Sequence, residues 1–115
     1  MTETSEITDT EVLLKELPEA RGLDKIHILA DLTVAFREIN PEKVIEFGKQ
    51  GLELLQETEE KDLESVILSE LCWAYQRIDE YQTSLDHGFE MLELTIETKD
   101  DKSKATALNR IGATY

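Results

Sequence analysis

The chain sets 12 Lys and Arg against 26 Asp and Glu in 115 residues, a formal charge of -14. A surface that acidic has no basic stripe with which to release phosphate counterions, so nucleic-acid and membrane-surface partners are not expected. High charge can also mean disorder, but apolar residues recur at helical spacing along nearly the whole sequence, and the length suits one folded domain.

The segment "TDTEVLLKELPEARG" opens with Thr8 and Glu11 at capping-box spacing. Val12, Leu13 and Leu17 give it a short apolar face, Pro18 disrupts it, and Gly22 suits a C-terminal cap. A second helix is expected from Asp24, as N-cap, to about Glu38, with Ile28, Leu29, Leu32, Phe36 and Ile39 in one stripe. Asn40 before Pro41 leaves the α region, and Pro41 fits the first turn of a third helix. That helix is expected to reach about Glu59, with Val44, Ile45, Gly48, Gly51, Leu52 and Leu55 on one side. A fourth, from about Asp62 to Arg77, presents Leu63, Ile67, Leu68, Leu71, Tyr75 and Ile78. A fifth, from about Glu80 to Thr98, presents Leu85, Gly88, Met91, Leu92 and Ile96. After "KDDKS" a sixth begins with Ala105, Leu108, Ile111, Gly112 and Tyr115. No stretch alternates with period two, so strands are not expected.

Cys72 is the single cysteine and lies between Leu71 and Trp73 on an apolar face. It reads as a small buried hydrophobe, and no internal disulfide can form. The acidic start "MTETSEITDTE" has no basic or apolar signal region. No apolar run approaches the roughly 20 residues that a membrane helix needs. A cytoplasmic location is expected.

The helices repeat. Leu29, Leu32 and Phe36 fall on Leu68, Leu71 and Tyr75, and again on Leu108, Ile111 and Tyr115, at steps of 39 and 40 residues. Gly48 falls on Gly88, Leu52 on Leu92 and Leu54 on Leu94. Internal repetition at this period is the mark of a helical solenoid. Glycine costs roughly 1 kcal/mol against alanine inside a helix, so its recurrence at Gly48 and Gly88 points to a close helix crossing. Ser84 adds room a turn before Gly88. Gly112 does the same on the sixth helix, where Thr33 and Cys72 hold the matching positions.

"LNRIGATY" at 108–115, "LSELCWAY" at 68–75 and "LADLTVAF" at 29–36 resemble the first helix of the tetratricopeptide repeat. "NPEKVIEFGKQGLEL" and "EYQTSLDHGFEMLEL" resemble its second helix. Ser84 and Val44 replace the usual Ala, and the period exceeds the family's standard length. The resemblance covers about residues 24–115 and implies an all-α, right-handed α-α superhelix of antiparallel helical hairpins. Its divisions would be a leading segment 1–23, one repeat over 24–60, a second over 61–100, and the first helix of a third over 101–115. An unmatched first-type helix at Tyr115 leads to the expectation of a fragment whose stack continues. The stretch "LLKELPEARGLDKIHILADL…NPEKVIEFGKQGLELLQ" resembles N-terminal regions of bacterial signalling proteins. In those, repeats precede a diguanylate cyclase (GGDEF) domain, a histidine kinase or a transcription-regulating module.

The resemblance implies binding of a protein or peptide in the groove lined by first helices. Carried over by position, that groove holds His27, Val34, Arg37, Ser69, Trp73, Gln76, Arg77 and Asn109. Trp73 offers a stacking surface of the kind enriched at binding hot spots, and Arg37 and Arg77 suit a carboxylate. Leu29, Leu32, Phe36, Gly48, Leu68, Leu71, Cys72, Tyr75, Ser84, Gly88, Leu108, Gly112 and Tyr115 would pack repeat on repeat. A clamp for a C-terminal carboxylate, used by chaperone-binding members, is not expected. Its positions hold Ala30, Val34, Glu70 and Thr106, with only Arg110 basic. A homodimer through the groove or through the end beyond Tyr115 is the alternative.

Enzymatic chemistry is not expected, nor is a cofactor. Asp24 and His27 imitate half of a helical di-metal motif whose other half is missing, since Ser84 precedes His87 by three. His27 and Asp31 read as a surface pair. No Gly-rich phosphate loop, HExxH or GxSxG occurs.

Overall fold

A computed structural model describes residues 10–115, and among these every regular element is helical. A leading helix over residues 10–16 runs into a 3-10 turn at Leu17–Glu19 containing Pro18. Five helices follow: α1 (Gly22–Ala35), α2 (Pro41–Leu55), α3 (Lys61–Arg77), α4 (Tyr81–Thr98) and α5 (Asp101–Thr114). The expected Thr8 cap lies outside the described residues.

Side-chain caps set two of the helix starts. Asn40 is extended and its side chain accepts from the Lys43 amide, while Pro41 occupies the first turn of α2. Asp100 caps α5 in the same way, accepting from the Ser103 amide. This starts the helix four residues before the apolar pattern does. Those hydrogen bonds hold the exposed Asp100 carboxyl below its ordinary pKa. Three sequence expectations are corrected. Gly22 does not close the leading helix but opens α1, with φ +57°, and Asp24 lies in the first turn rather than at the cap. α2 stops at Leu55, short of Glu59, where the chain bends through Gln56–Thr58.

Each helix packs on the next along the chain, α1 also packs on α3, and α3 on α5. Two layers result, one of α1, α3 and α5 and the other of α2 and α4. Burial is densest on α3, which touches all four others. Ile67, Leu68, Leu71 and Cys72 are at most 1% exposed. Leu13 and Leu17 of the leading segment lie against the cluster of Leu29, Leu32 and Phe47, where the Phe36 and Phe47 rings stack at 5.9 Å.

The helix crossings depend on absent side chains. A Cβ on Gly48 would sit 2.7 Å from Leu71 Cδ2, and one on Gly88 would sit 2.8 Å from Ile111 Cγ1 and 3.3 Å from Cys72 Sγ. Gly51 admits Ile67 in the same manner, at 2.6 Å. Ser84 is fully buried and donates to the Cys72 carbonyl at 2.7 Å, with the Cys72 sulfur 3.4 Å away. Leu29, Leu32, Leu68, Leu71 and Tyr75 are likewise buried and Phe36 is half-buried.

The third set differs. Gly112 has open space where a Cβ would stand, Leu108 is 50% exposed and Tyr115 is 84% exposed. They do not pack as expected, because they lie on the side of α5 away from α3 and no described element covers it. Ala107 and Ile111 are the α5 residues that go inward.

Candidate functional site

The site is built where α1, α3 and α5 lie side by side. The turn after α1 places Arg37 against Glu70 of α3. Arg37 donates through Nε to Glu70 Oε1 at 2.8 Å and through Nη2 to Oε2. Glu70 is 2% exposed, so this two-pronged pair is what makes a carboxylate tolerable beside Ile67 and Leu71. The same carboxylate raises the Arg37 pKa above its ordinary value. Arg37 is therefore engaged within the chain, with Glu70 as its carboxylate.

One turn further along α3, Trp73 is half-buried and flanked by two guanidinium groups. Arg110 of α5 lies 5.0 Å from the ring centroid and Arg77 lies 6.0 Å from it. Such placement is favourable because the ring face is electron-rich, and Arg stacks on it with little desolvation. Arg110 Nε also donates to Ser69 at 3.3 Å. Arg77 reaches Glu38 at 3.4 Å, a weak exposed contact. Among the described residues Arg110 has no carboxylate partner within ion-pairing distance. Gln76 donates to the Ala113 carbonyl at 3.0 Å. The indole Nε1 of Trp73 and the amide oxygen of Gln76 are buried atoms with no hydrogen-bond partner among the described residues. The layer thus carries a donor and an acceptor three residues apart on one helix, both unsatisfied, next to a cation without a counter-charge.

Of the eight expected groove residues, Arg37, Ser69, Trp73, Gln76 and Arg77 come together in this ribbon. Ser69 is 6% exposed and serves Arg110 rather than the solvent. Val34 of α1 and Asn109 of α5 are exposed and make no side-chain hydrogen bond to the ribbon. His27 does not join it: it lines an open cleft of ≈ 660 Å³ against the leading segment, with Lys15, Glu16, Glu19, Ala20, Asp24 and Ile28. Glu70 and Arg110, weighed in the sequence only as positions of a carboxylate clamp, are members as well. Arg110 carried a signal, since it lies one helical turn before Ala113, the position one repeat of 40 residues after Trp73. Glu70 carried none, because its partner is set by stacking and not by spacing.

On the other side of α3, His87 of α4 stacks on Tyr75 with centroids 5.5 Å apart. Burial is the main cause that lowers the His87 pKa below 6.5, and Lys49 adds to it, against Glu90 and Asp86, which favour the charged form. Glu90 stands 3.3 Å from Nδ1. A histidine whose folded pKa is lowered is charged more readily in the unfolded chain. Its stabilising effect is complete above pH 6.5 and is lost as the pH falls below that value. The melting temperature is expected to fall between pH 7 and pH 5.5 in the native chain and to fall less in His87→Gln. Equal slopes in a paired calorimetric series would contradict the assignment.

Among the described residues no three His, Cys, Asp or Glu side chains gather to hold a metal ion. No helix there is long and apolar enough to cross a membrane. The chain matches no protein-family model, no curated protein and no solved structure.

Proposed function

We propose that the chain is a protein-interaction module of tetratricopeptide type, which receives a segment of another protein along the face of α1, α3 and α5. The role is binding rather than catalysis. The observation that carries this reading is the half-buried Trp73 ring between Arg77 and Arg110, with Arg110 lacking a carboxylate partner among the described residues. The uncompensated Arg110 suits an acidic side chain or a terminal carboxylate on the same segment. The overall acidity of the module favours a partner whose remaining surface is basic, by long-range steering. The likeness of the N-terminal stretch to bacterial signalling proteins favours a regulatory place beside an output domain of diguanylate cyclase (GGDEF) type. A histidine kinase or a transcriptional regulator is the variant of that reading.

Selection of randomised peptides against the immobilised chain tests the proposal. Selected peptides are expected to quench or shift the emission of Trp73, the single tryptophan. They are expected to weaken by about tenfold or more on Trp73→Ala and on Arg110→Ala, the loss typical of a hot-spot residue. Helical circular dichroism should stay unchanged in both variants. Peptides that bind both variants as well as the native chain would overturn the assignment of the site.

A further inference from the structure

Neighbouring residues of α3 hold two arginines by different devices. A guanidinium can meet a carboxylate with parallel N–H groups at its side edge, through Nε, or at its end edge, through both Nη atoms. Arg37 uses the side edge on Glu70, with Nε on one oxygen and Nη2 on the other, so its charge is matched inside the chain. Arg110 meets the residue before Glu70 instead. Its Nε donates to the Ser69 hydroxyl at 3.3 Å, and its Cζ lies 5.0 Å from the centre of the Trp73 ring. Ser69 is 6% exposed, so little water competes for that hydroxyl. The Nη1 and Nη2 atoms of Arg110 have no partner among the described residues and, unlike the indole Nε1 of Trp73, they are not buried.

We propose that Ser69 is the positioning residue of the peptide-binding face. By occupying Nε it closes the side edge of Arg110, and it leaves the end edge, Nη1 with Nη2, to receive a carboxylate of the bound segment. This rests on the binding reading given above and adds which edge is used and what sets it. A hydroxyl suits the task because it orients the guanidinium without cancelling its charge. A carboxylate at position 69 would hold Arg110 as firmly but would neutralise it, as Glu70 does Arg37. The cation stays available on a chain whose net charge is -14.

Ser69 is not needed to keep α5 in place. Gln76 donates to the Ala113 carbonyl at 3.0 Å, Thr114 lies 3.0 Å from the Ser84 hydroxyl, and Ala107 and Ile111 are buried. The Ser69 contact therefore acts on the guanidinium itself. A long side chain fixed on folding has less freedom left to lose when a ligand arrives, and affinity gains by that difference.

Peptides selected against the native chain test this when measured on Ser69→Ala and Ser69→Thr. Each is compared with forms whose carboxylates are removed one at a time, by amidating the C-terminus or by replacing an acidic side chain with its amide. Ser69→Ala is expected to raise the dissociation constant about threefold to tenfold, the cost of ordering one long side chain. Ser69→Thr keeps the hydroxyl and should bind as the native chain does, with helical dichroism unchanged in both. Removing one particular carboxylate should abolish the difference between native and Ser69→Ala, and its place in the peptide tells a terminal carboxylate from a side-chain one. Without peptide, the Arg110 Nε–H proton should exchange slowly with water in the native chain and fast in Ser69→Ala, read by nitrogen-edited magnetic resonance. Native affinity in Ser69→Ala would overturn the inference and leave the binding face standing. A loss shared equally by the neutralised peptides, or fast Nε–H exchange in the native chain, would overturn it too. Peptides indifferent to Trp73→Ala and Arg110→Ala would remove the face itself.

Discussion

Arg37→Ala is expected to cost about 3 kcal/mol of folding stability at pH 7, measured by urea denaturation. The cost comes from the partner left behind. Glu70 is 2% exposed and would keep its charge among Ile67 and Leu71 without its two-pronged donor. Breaking a buried pair from one side typically costs 3–5 kcal/mol, and the lower end applies because the Arg37 side chain is 36% exposed and water can follow it in. Replacing both partners by apolar residues, Arg37→Met with Glu70→Leu, should recover most of the loss, since no charge is then stranded. A loss within about 0.5 kcal/mol for Arg37→Ala, the ordinary effect of a surface substitution, would mean that the pair is a solvated contact.

Gly48→Leu is expected to destabilise by roughly 1–3 kcal/mol through overpacking, with Gly88→Leu alike. A first carbon at position 48 already stands 2.7 Å from Cδ2 and 2.9 Å from Cγ of Leu71, which is fully buried and has nowhere to retreat. Gly112→Ala should have the opposite sign. It lies in a helix with nothing within 4 Å, so it is expected to gain about 0.5–1 kcal/mol from helix propensity alone. Thermal melts of the three variants at low concentration compare one residue type in two environments. Equal effects at positions 48 and 112 would remove the close crossing as the reason for Gly48.

How much of this was legible depends on the range of the interaction. Asn40–Pro41 announced its helix start because capping and the proline ring act within one turn. Gly48 and Gly88 were legible because both are approached by the residue at one repeat position, Leu71 and Ile111, forty residues apart. Gly51 is equally crowded, by Ile67, but its repeat equivalent is Met91, so periodicity gave it no voice. The Arg37–Glu70 pair spans 33 residues and depends on how α1 settles against α3; alone, Glu70 reads as a surface charge. Leu108, Gly112 and Tyr115 were assigned by analogy with Leu68, Cys72 and Tyr75. In those, burial comes from α4 lying over α3, and no described helix lies over α5 in the same way. His27 was placed in the groove by position within its helix, yet the leading segment covers that part of α1 and draws it into a different cleft.

The central claim is that two helical hairpins meet their successors through the same notch. Proton cross-relaxation on methyl-labelled chain reads it directly. Cross-peaks are predicted from the Gly48 α-protons to the Leu71 methyls and from the Gly88 α-protons to the Ile111 side chain. A spectrum holding one set without the other would contradict the equivalence of the two crossings, and with it the layer on which the Trp73 face is built.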